Sequence, residues 1–148
     1  MEEKMEEKER SRLKELKLRT NSFSDHNSMR IESAGPGHVV YALDIRPESL
    51  NPYGMVHGGA LYTLADNAGG AAVHSDGRHY VTQTGNLHFL DNRAQGVIRA
   101  AGHVRHRGRS TALVQVDVTD EAGTLLATGE FTYFCVDRRR MEERAAEG

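Results

Sequence analysis

Only one segment of this 148-residue chain carries apolar residues at the spacing of a helix long enough to be buried. Its recurring apolar positions, between residues 56 and 75, are Leu61, Leu64, Ala65, Ala68 and Ala72. On either side of it apolar and polar residues alternate, as over residues 39–45 and 112–118, which is the period of a strand with one buried face. The pattern predicts two strands, one long helix and then four strands. An antiparallel sheet that covers the single helix buries both patterns, so we predict an α+β fold.

The charge balance and the cysteine content limit the binding partners and the compartment that we expect for the chain. Lys and Arg number 19 against 21 Asp and Glu, so no global positive field favours a nucleic-acid backbone. No apolar run approaches the ~20 residues that a membrane helix needs. The single cysteine, Cys135, agrees with a reducing compartment and fits a small packed residue better than a nucleophile. We expect a soluble, cytoplasmic protein without a nucleic-acid or membrane partner.

Charged segments flank the patterned region. Residues 1–20 contain strong helix formers and charge pairs four residues apart, which predicts an extra N-terminal helix within a charged extension, residues 1–24. Residues 138–148 are charged without a pattern and predict a solvated tail. The segment between them, residues 25–137, is the predicted single domain.

A glycine pair, Gly58 and Gly59, stands where the helical pattern begins. Glycine weakens a helix, so it is costly there unless it is needed. A helix start exposes unpaired N–H groups and a partial positive charge, and the pair would let a substrate oxygen approach those donors. This is the outline of an oxyanion hole. The alternative is a flexible loop that enters a helix.

Asp66 lies in the middle of the same helical pattern among apolar neighbours. An acid there is destabilising unless it has a partner or a purpose. At a rise of ~1.5 Å per residue it lies ~12 Å from Gly58 along the axis, too far to attack a carbonyl held at its own helix start. If both serve one reaction, they come from two chains whose helices run antiparallel across a twofold axis. The alternative is a carboxylate satisfied by neighbouring hydroxyl or backbone groups.

The segment around the helix start resembles a known family. Its pattern Asn-x-x-Gly-x-x-His-Gly-Gly over residues 51–59, followed by the helical Asp, looks like the hotdog-fold acyl-CoA thioesterases of the phenylacetyl-CoA thioesterase (PaaI) type. Shorter matches occur at residues 81–82, 86–90, 106–110 and 129–132, and the resemblance covers roughly residues 25–136. It implies a hotdog fold, hydrolysis of an acyl-CoA substrate without a metal or organic cofactor, and a homodimer, commonly paired into a homotetramer.

The resemblance also implies a role for each matching residue. The Gly58 N–H would polarise the thioester carbonyl, and Asp66 of the facing subunit would be the base or the nucleophile, a choice the sequence leaves open. Asn51 and His57 would orient substrate or water. Thr82 would help to place the water.

The chain departs from the family pattern at two positions. Asp91-Asn92-Arg93 follows the Phe-Leu pair where many relatives have proline, which affects a loop. Gly70 stands one helical turn after Asp66, where some hotdog thioesterases carry a hydroxyl residue. The way the water is held therefore stays open, with Thr82 as a substitute for the missing hydroxyl.

A basic cluster falls on one predicted turn. Its members are Arg105, His106, Arg107 and Arg109. Arginine donors can clamp the phosphates of coenzyme A, although surface hairpins also carry such residues for solubility. The histidines show no metal-ligand spacing, so no metal site is predicted.

Three functions stay open on the sequence. Thioester hydrolysis is the leading prediction, with an enoyl-thioester hydratase or dehydratase of the same fold and a non-catalytic acyl-CoA-binding protein as alternatives. The buried acid argues against mere binding. The acyl group, aryl or medium-chain, is not predicted.

Overall fold

A computed structural model describes Lys4, residues 6–8, residues 22–136 and residues 146–147. Lys4, residues 6–8 and residues 22–24 are helical, and the rest of the predicted N-terminal segment lies outside the described residues, as does most of the predicted tail. The domain limits after residues 24 and 137 stay predictions. Among the described residues, no helix is long and apolar enough to cross a membrane.

The strands and the long helix follow the predicted order. The elements are α1 (Ser22–His26), β1 (Met29–Gly35), β2 (His38–Asp44), α2 (Gly58–Val73), β3 (His79–Phe89), β4 (Val97–Arg107), β5 (Thr111–Thr119) and β6 (Leu125–Val136). Short 3-10 turns lie before α2 at Pro47–Ser49 and after it at His74–Asp76. Helix α2 is therefore slightly shorter than the predicted helical segment.

The six strands form one antiparallel sheet in the order β1-β2-β4-β5-β6-β3. Three pairs of strands that are neighbours in sequence also pair in the sheet through short turns: β1–β2, β4–β5 and β5–β6. Strand β2 pairs with β4, and α2 and β3 lie between these two strands in the sequence. Strand β3 therefore crosses to the far edge, where it pairs with β6. The predicted α+β architecture, a sheet around one long helix, is confirmed.

Helix α2 buries one face against the sheet. The five apolar positions predicted for that face are all at most 1% exposed. Each such side chain contributes about 1.5–3 kcal/mol through burial, less for alanine. The helix lies close to β4 at Gly102, where an added β-carbon would lie 2.7 Å from the carbonyl oxygen of Ala68. This contact sets the height of α2 above the sheet and with it the position of Asp66.

Candidate active site

Helix α2 begins at a histidine cap. His57 has an extended backbone, and its Nδ1 accepts a hydrogen bond of 2.9 Å from the Gly59 N–H. Nδ1 is therefore the unprotonated ring nitrogen, and the ring proton lies on Nε2. A β-carbon on Gly59 would lie 3.0 Å from this Nδ1, which explains the second glycine of the pair. His57 is exposed, so its Nε2–H can reach a ligand.

The cap uses one of the two predicted donors and leaves the other open. The Gly59 N–H is bound to His57, whereas the Gly58 N–H has no acceptor among the residues that the structure describes. The positive end of the helix dipole lies at this N–H, which makes it suited to an oxygen that gains negative charge. A β-carbon on Gly58 would lie 3.7 Å from the ring of Phe89, the side chain that borders this donor.

Asn51 organises the loop that leads to α2. Its Oδ1 accepts hydrogen bonds from the backbone N–H groups of Tyr53 at 2.9 Å and Met55 at 3.2 Å. Backbone hydrogen bonds close the same loop, and Gly54 adopts a left-handed conformation with φ of 78°. The Asn51 Nδ2 has no acceptor in the described part of the chain. Asn51 therefore shapes the approach to the helix start and keeps one donor free.

The Asp66 carboxylate is half-buried between α2 and the strands β3 and β6. Its Oδ1 accepts a hydrogen bond of 2.9 Å from the Thr82 hydroxyl of β3 and another of 2.9 Å from the Tyr133 hydroxyl of β6. The Thr82 hydroxyl also lies 3.1 Å from Oδ2. The structure thus brings together Asp66 and Thr82 of the predicted site and adds Tyr133.

These two hydroxyls satisfy the carboxylate in part, which is the alternative that the sequence left open. An ionised carboxylate has room for about four hydrogen bonds, and the hydroxyls converge on Oδ1. Oδ2 receives only the longer contact from Thr82. The group is therefore held mainly at Oδ1, and Oδ2 keeps more of its lone pairs available, as a general base or a nucleophile requires.

The predicted catalytic residues form two separate groups within one chain. One group surrounds the start of α2 and consists of Asn51, His57 and the glycine pair. The other group is Asp66, two helical turns further along α2, with Thr82 of β3 bound to it. The ~12 Å of helix between Gly58 and Asp66 exceeds the reach of a carboxylate side chain. The two groups therefore do not meet within one chain.

The predicted basic cluster divides into an engaged arginine and exposed side chains. Arg107 is half-buried, donates to the Val73 carbonyl at the end of α2 with a distance of 2.8 Å, and lies 2.9 Å from the Asp76 carboxylate. The other three predicted members are exposed: Arg105, His106 and Arg109. Arg107 therefore ties β4 to the C-terminal end of α2, and the other three face solvent.

Asp76 is the centre of a network that sequence analysis did not predict. Its Oδ2 accepts hydrogen bonds from the Tyr80 hydroxyl at 2.6 Å and from Arg78 Nε at 2.8 Å. Burial alone would raise the pKa of Asp76, but the hydrogen bonds from Tyr80 and Arg78 and the charge of Arg107 lower it to about 2. Arg78 also donates to the Gly108 carbonyl. The network fastens the turn after α2 to the β4–β5 turn.

We expect Asp76→Asn to lower the free energy of unfolding by about 2 kcal/mol at pH 7, since one pKa unit corresponds to about 1.4 kcal/mol. Folding lowers the pKa of Asp76 from 3.8 to about 2, so its ionised form stabilises the fold above pH 4. That stabilisation is lost as the pH falls through 2. Urea unfolding of both proteins at several pH values checks this. A difference in stability that stays constant between pH 7 and pH 2.5 would contradict it.

The departure at Asp91-Asn92-Arg93 has a structural role next to the helix start. The Val56 N–H donates to the Arg93 carbonyl at 3.0 Å, and Asn92 Nδ2 donates to the Val56 carbonyl at 2.8 Å. Arg93 is itself held by Asp120, with Nε 3.0 Å from Oδ2. This loop therefore fixes the residue that precedes His57.

Two histidines form a stacked pair on neighbouring strands. The rings of His38 and His103 have centroids 4.1 Å apart, and burial together with the charge of His38 lowers the pKa of His103.

No group of three or more His, Cys, Asp or Glu side chains among the described residues is arranged to hold a metal ion.

Tyr133 is the functional candidate that sequence analysis missed. The segment of the last strand that resembles the family ends at Thr132, one residue earlier. The available signal was the alternation of β6, which turns both Phe131 and Tyr133 inward. A tyrosine at such a position needs a polar partner, and Asp66 was the acid in need of one.

A sequence profile of the thioesterase superfamily matches residues 53–127 of the chain. The matched segment begins two residues after Asn51 and includes α2, β3, β4 and β5, so it contains His57, the glycine pair, Asp66 and Thr82 but neither Asn51 nor Tyr133. Acyl-coenzyme A thioesterase 13 of Homo sapiens is 33% identical over 104 residues, which are 68% of this chain and 74% of that protein.

Two bacterial relatives agree with this match. Acyl-coenzyme A thioesterase PaaI of Escherichia coli is 29% identical over 92 residues, covering 62% of this chain and 66% of that protein. The structure of E. coli PaaI superposes with a TM-score of 0.82 over 87% of this chain and 94% of that chain, at 22% identity. The structure of a hypothetical thioesterase of Streptococcus pneumoniae with coenzyme A is 35% identical and superposes with a TM-score of 0.70. The match covers 73% of this chain and 85% of that chain.

These similarities identify the sheet around one long helix as the hotdog fold that the sequence predicts. The chain therefore belongs to the thioesterase superfamily and is a hotdog-fold thioesterase of the PaaI type.

Proposed function

We propose that this enzyme hydrolyses an acyl-CoA thioester to the free acid and coenzyme A, at a site shared between two copies of the chain. The observation that carries the proposal is the pairing of an unused donor, the Gly58 N–H, with a carboxylate held at one oxygen, Asp66. The names of the human and E. coli relatives support the substrate class, as does the coenzyme A in the S. pneumoniae structure.

A homodimer joins the two halves of the site. If two copies of α2 run antiparallel across a twofold axis, the start of one helix lies beside the middle of the other, and Gly58 meets the partner's Asp66. Strand β3 supports this arrangement because it is an edge strand of eleven residues with exposed side chains along its centre. Pairing of β3 with a second copy would continue the sheet. Association of two such dimers into a homotetramer follows from the family resemblance alone.

The reaction involves two negative charges, one that develops on the carbonyl oxygen and one that the Asp66 carboxylate carries. As the carbonyl carbon is attacked, its oxygen becomes negative, and the Gly58 N–H with the positive end of α2 stabilises that charge. The Asp66 carboxylate either takes a proton from the attacking water or attacks the carbon itself, forming an anhydride that water then opens. In both routes the C–S bond breaks and the thiolate of coenzyme A leaves and is protonated. Thr82 holds the carboxylate and has lone pairs for the water.

Donors around the helix start would orient the substrate. The free Nδ2 of Asn51 and the Nε2–H of His57 belong to the loop and the cap that directly precede the open Gly58 N–H. Exposed apolar side chains border this region, with Met55 41% exposed and Phe89 53% exposed. They favour an apolar acyl group over a charged one.

The exposed basic side chains are candidates for the nucleotide of coenzyme A. In one chain they lie near the C-terminal end of α2, remote from Gly58. In the antiparallel dimer that end approaches the partner's helix start, which brings Arg105, His106 and Arg109 toward the shared site. Arg107 would act indirectly, because its guanidinium is already bound within its own chain. The proposed chemistry uses no metal or organic cofactor, and a cytoplasmic location stays a prediction.

A thiol-reactive dye tests the proposal on a panel of phenylacetyl, hydroxybenzoyl and medium-chain acyl-CoA esters. We expect thiol release, with a lower KM for a CoA ester than for the matching N-acetylcysteamine ester, which lacks the nucleotide. With an enoyl-CoA ester as a further substrate, loss of the enoyl absorbance without thiol release would indicate a hydratase instead. Binding of CoA esters with neither change would indicate a binding protein.

A further inference from the structure

The Tyr133 hydroxyl is a buried polar group directed at the candidate site. Tyr133 is 1% exposed, and its hydroxyl lies 2.9 Å from Asp66 Oδ1 and 3.1 Å from the Asp66 carbonyl oxygen. Burial, together with the nearby Asp66, raises the pKa of Tyr133 well above 10, so the hydroxyl keeps its proton and acts as a donor. A phenylalanine would fill the same apolar space without a polar atom.

Helix α2 is built to accommodate this hydroxyl. A β-carbon at Gly69 would lie 2.3 Å from the Tyr133 oxygen and 3.2 Å from ring carbon Cζ. Only Tyr133 atoms lie this close to that position. Glycine within a helix is destabilising by about 1 kcal/mol relative to alanine, so the sequence gives up helix stability at the point where the hydroxyl enters. The hydroxyl and the glycine therefore form one unit with Asp66.

We propose that Tyr133 is a positioning residue that binds Asp66 Oδ1 and thereby turns Oδ2 toward the substrate. Thr82 and Tyr133 approach Oδ1 from two different strands, β3 and β6, so the carboxylate cannot rotate without breaking a hydrogen bond. Oδ2 is then the oxygen that meets water or the acyl carbon. This inference rests on the proposed catalytic role of Asp66.

The test is steady-state hydrolysis by Tyr133→Phe, Gly69→Ala and the double variant. We expect Tyr133→Phe to lower kcat by about 10- to 100-fold with little change in KM, since a misplaced reacting group loses rate rather than substrate binding. Gly69→Ala should lower kcat similarly, because its methyl group displaces the hydroxyl. In the double variant there is no hydroxyl to displace, so kcat should equal that of Tyr133→Phe alone.

Tyr80→Phe is the matched control. Tyr80 is also buried, and its hydroxyl also donates to a carboxylate, but that carboxylate is Asp76. We expect this variant to lose stability and to keep kcat. Wild-type kcat in folded Tyr133→Phe would overturn the inference, as would a second, independent loss of kcat when Gly69→Ala is added to it.

Asp66→Asn separates failure of this inference from failure of the proposed function. If Asp66→Asn is inactive while Tyr133→Phe is fully active, the positioning role is wrong and the proposed function stands. If Asp66→Asn is itself active, the catalytic role of Asp66 fails and the positioning role fails with it, whereas absence of thiol release by the wild-type enzyme would refute the proposed function. Should Tyr133→Phe not fold, Gly69→Ala still tests the inference, because it keeps the tyrosine and moves only its hydroxyl.

Discussion

Asp66→Asn should reduce kcat for thioester hydrolysis by about 10² to 10⁴-fold while leaving the fold intact. The change keeps the shape of the side chain and removes its negative charge. An amide can still accept hydrogen bonds from Thr82 and Tyr133 through its oxygen, so the local structure should persist. It cannot take a proton from water or attack the acyl carbon. Thiol release at saturating substrate measures the effect, with circular dichroism as the check on folding.

Asp117→Asn is the matched control for this loss. Asp117 is an exposed aspartate of β5 whose Oδ1 accepts a hydrogen bond of 2.6 Å from the Thr128 hydroxyl. It thus loses the same charge next to a threonine, on a different part of the sheet. We expect Asp117→Asn to keep kcat. Near-native hydrolysis by Asp66→Asn would show that the Asp66 carboxylate is structural.

Gly102→Ala should lower the free energy of unfolding by about 3 kcal/mol or more, because the added carbon meets backbone instead of a mobile side chain. It would lie 2.7 Å from the Ala68 carbonyl oxygen and 3.0 Å from the Gly69 nitrogen. Helix α2 would have to move away from β4, which loosens the core and shifts Asp66 away from Thr82. The midpoint of urea unfolding measures the loss.

Gly35→Ala provides the comparison for a glycine in the same sheet. A β-carbon there meets no atom within 4 Å, and Gly35 lies at the end of the edge strand β1. We expect its effect on stability to stay within about 0.5 kcal/mol, as for most surface changes. Equal effects of the two substitutions would mean that the close approach at Gly102 does not limit the packing of α2.

Local patterns predicted most of the fold. The alternation of residues 39–45 and the helical spacing after Gly58 depend on neighbours in sequence, so both elements and the buried face of α2 were correctly predicted. The short turns follow from the same reasoning, as at Gly37, which adopts φ of 69°. The sheet order was not predicted, because no local pattern requires β3 to pair with β6.

The contacts that the sequence did not reveal join distant segments. Tyr133 reaches Asp66 across 67 positions, and Arg107 reaches Val73 across 34. The periodicity placed Tyr133 on a strand but said nothing of what it faces. In the same way, the positive charge of Arg107 predicted an anionic partner, for which the sequence offered the phosphates of coenzyme A. In the structure that partner is the Asp76 carboxylate of the same chain.

The shared site can be tested by mixing two inactive proteins. One carries Asp66→Asn, and the other carries Gly58→Val, whose side chain blocks approach to the open N–H. After subunit exchange, half of the dimers are mixed and each has one intact site, so about a quarter of wild-type activity should return. Exchange is verified by native mass spectrometry with an affinity tag on one partner. No recovery of activity in verified mixed dimers would contradict a site built from the Gly58 N–H of one subunit and the Asp66 carboxylate of the other.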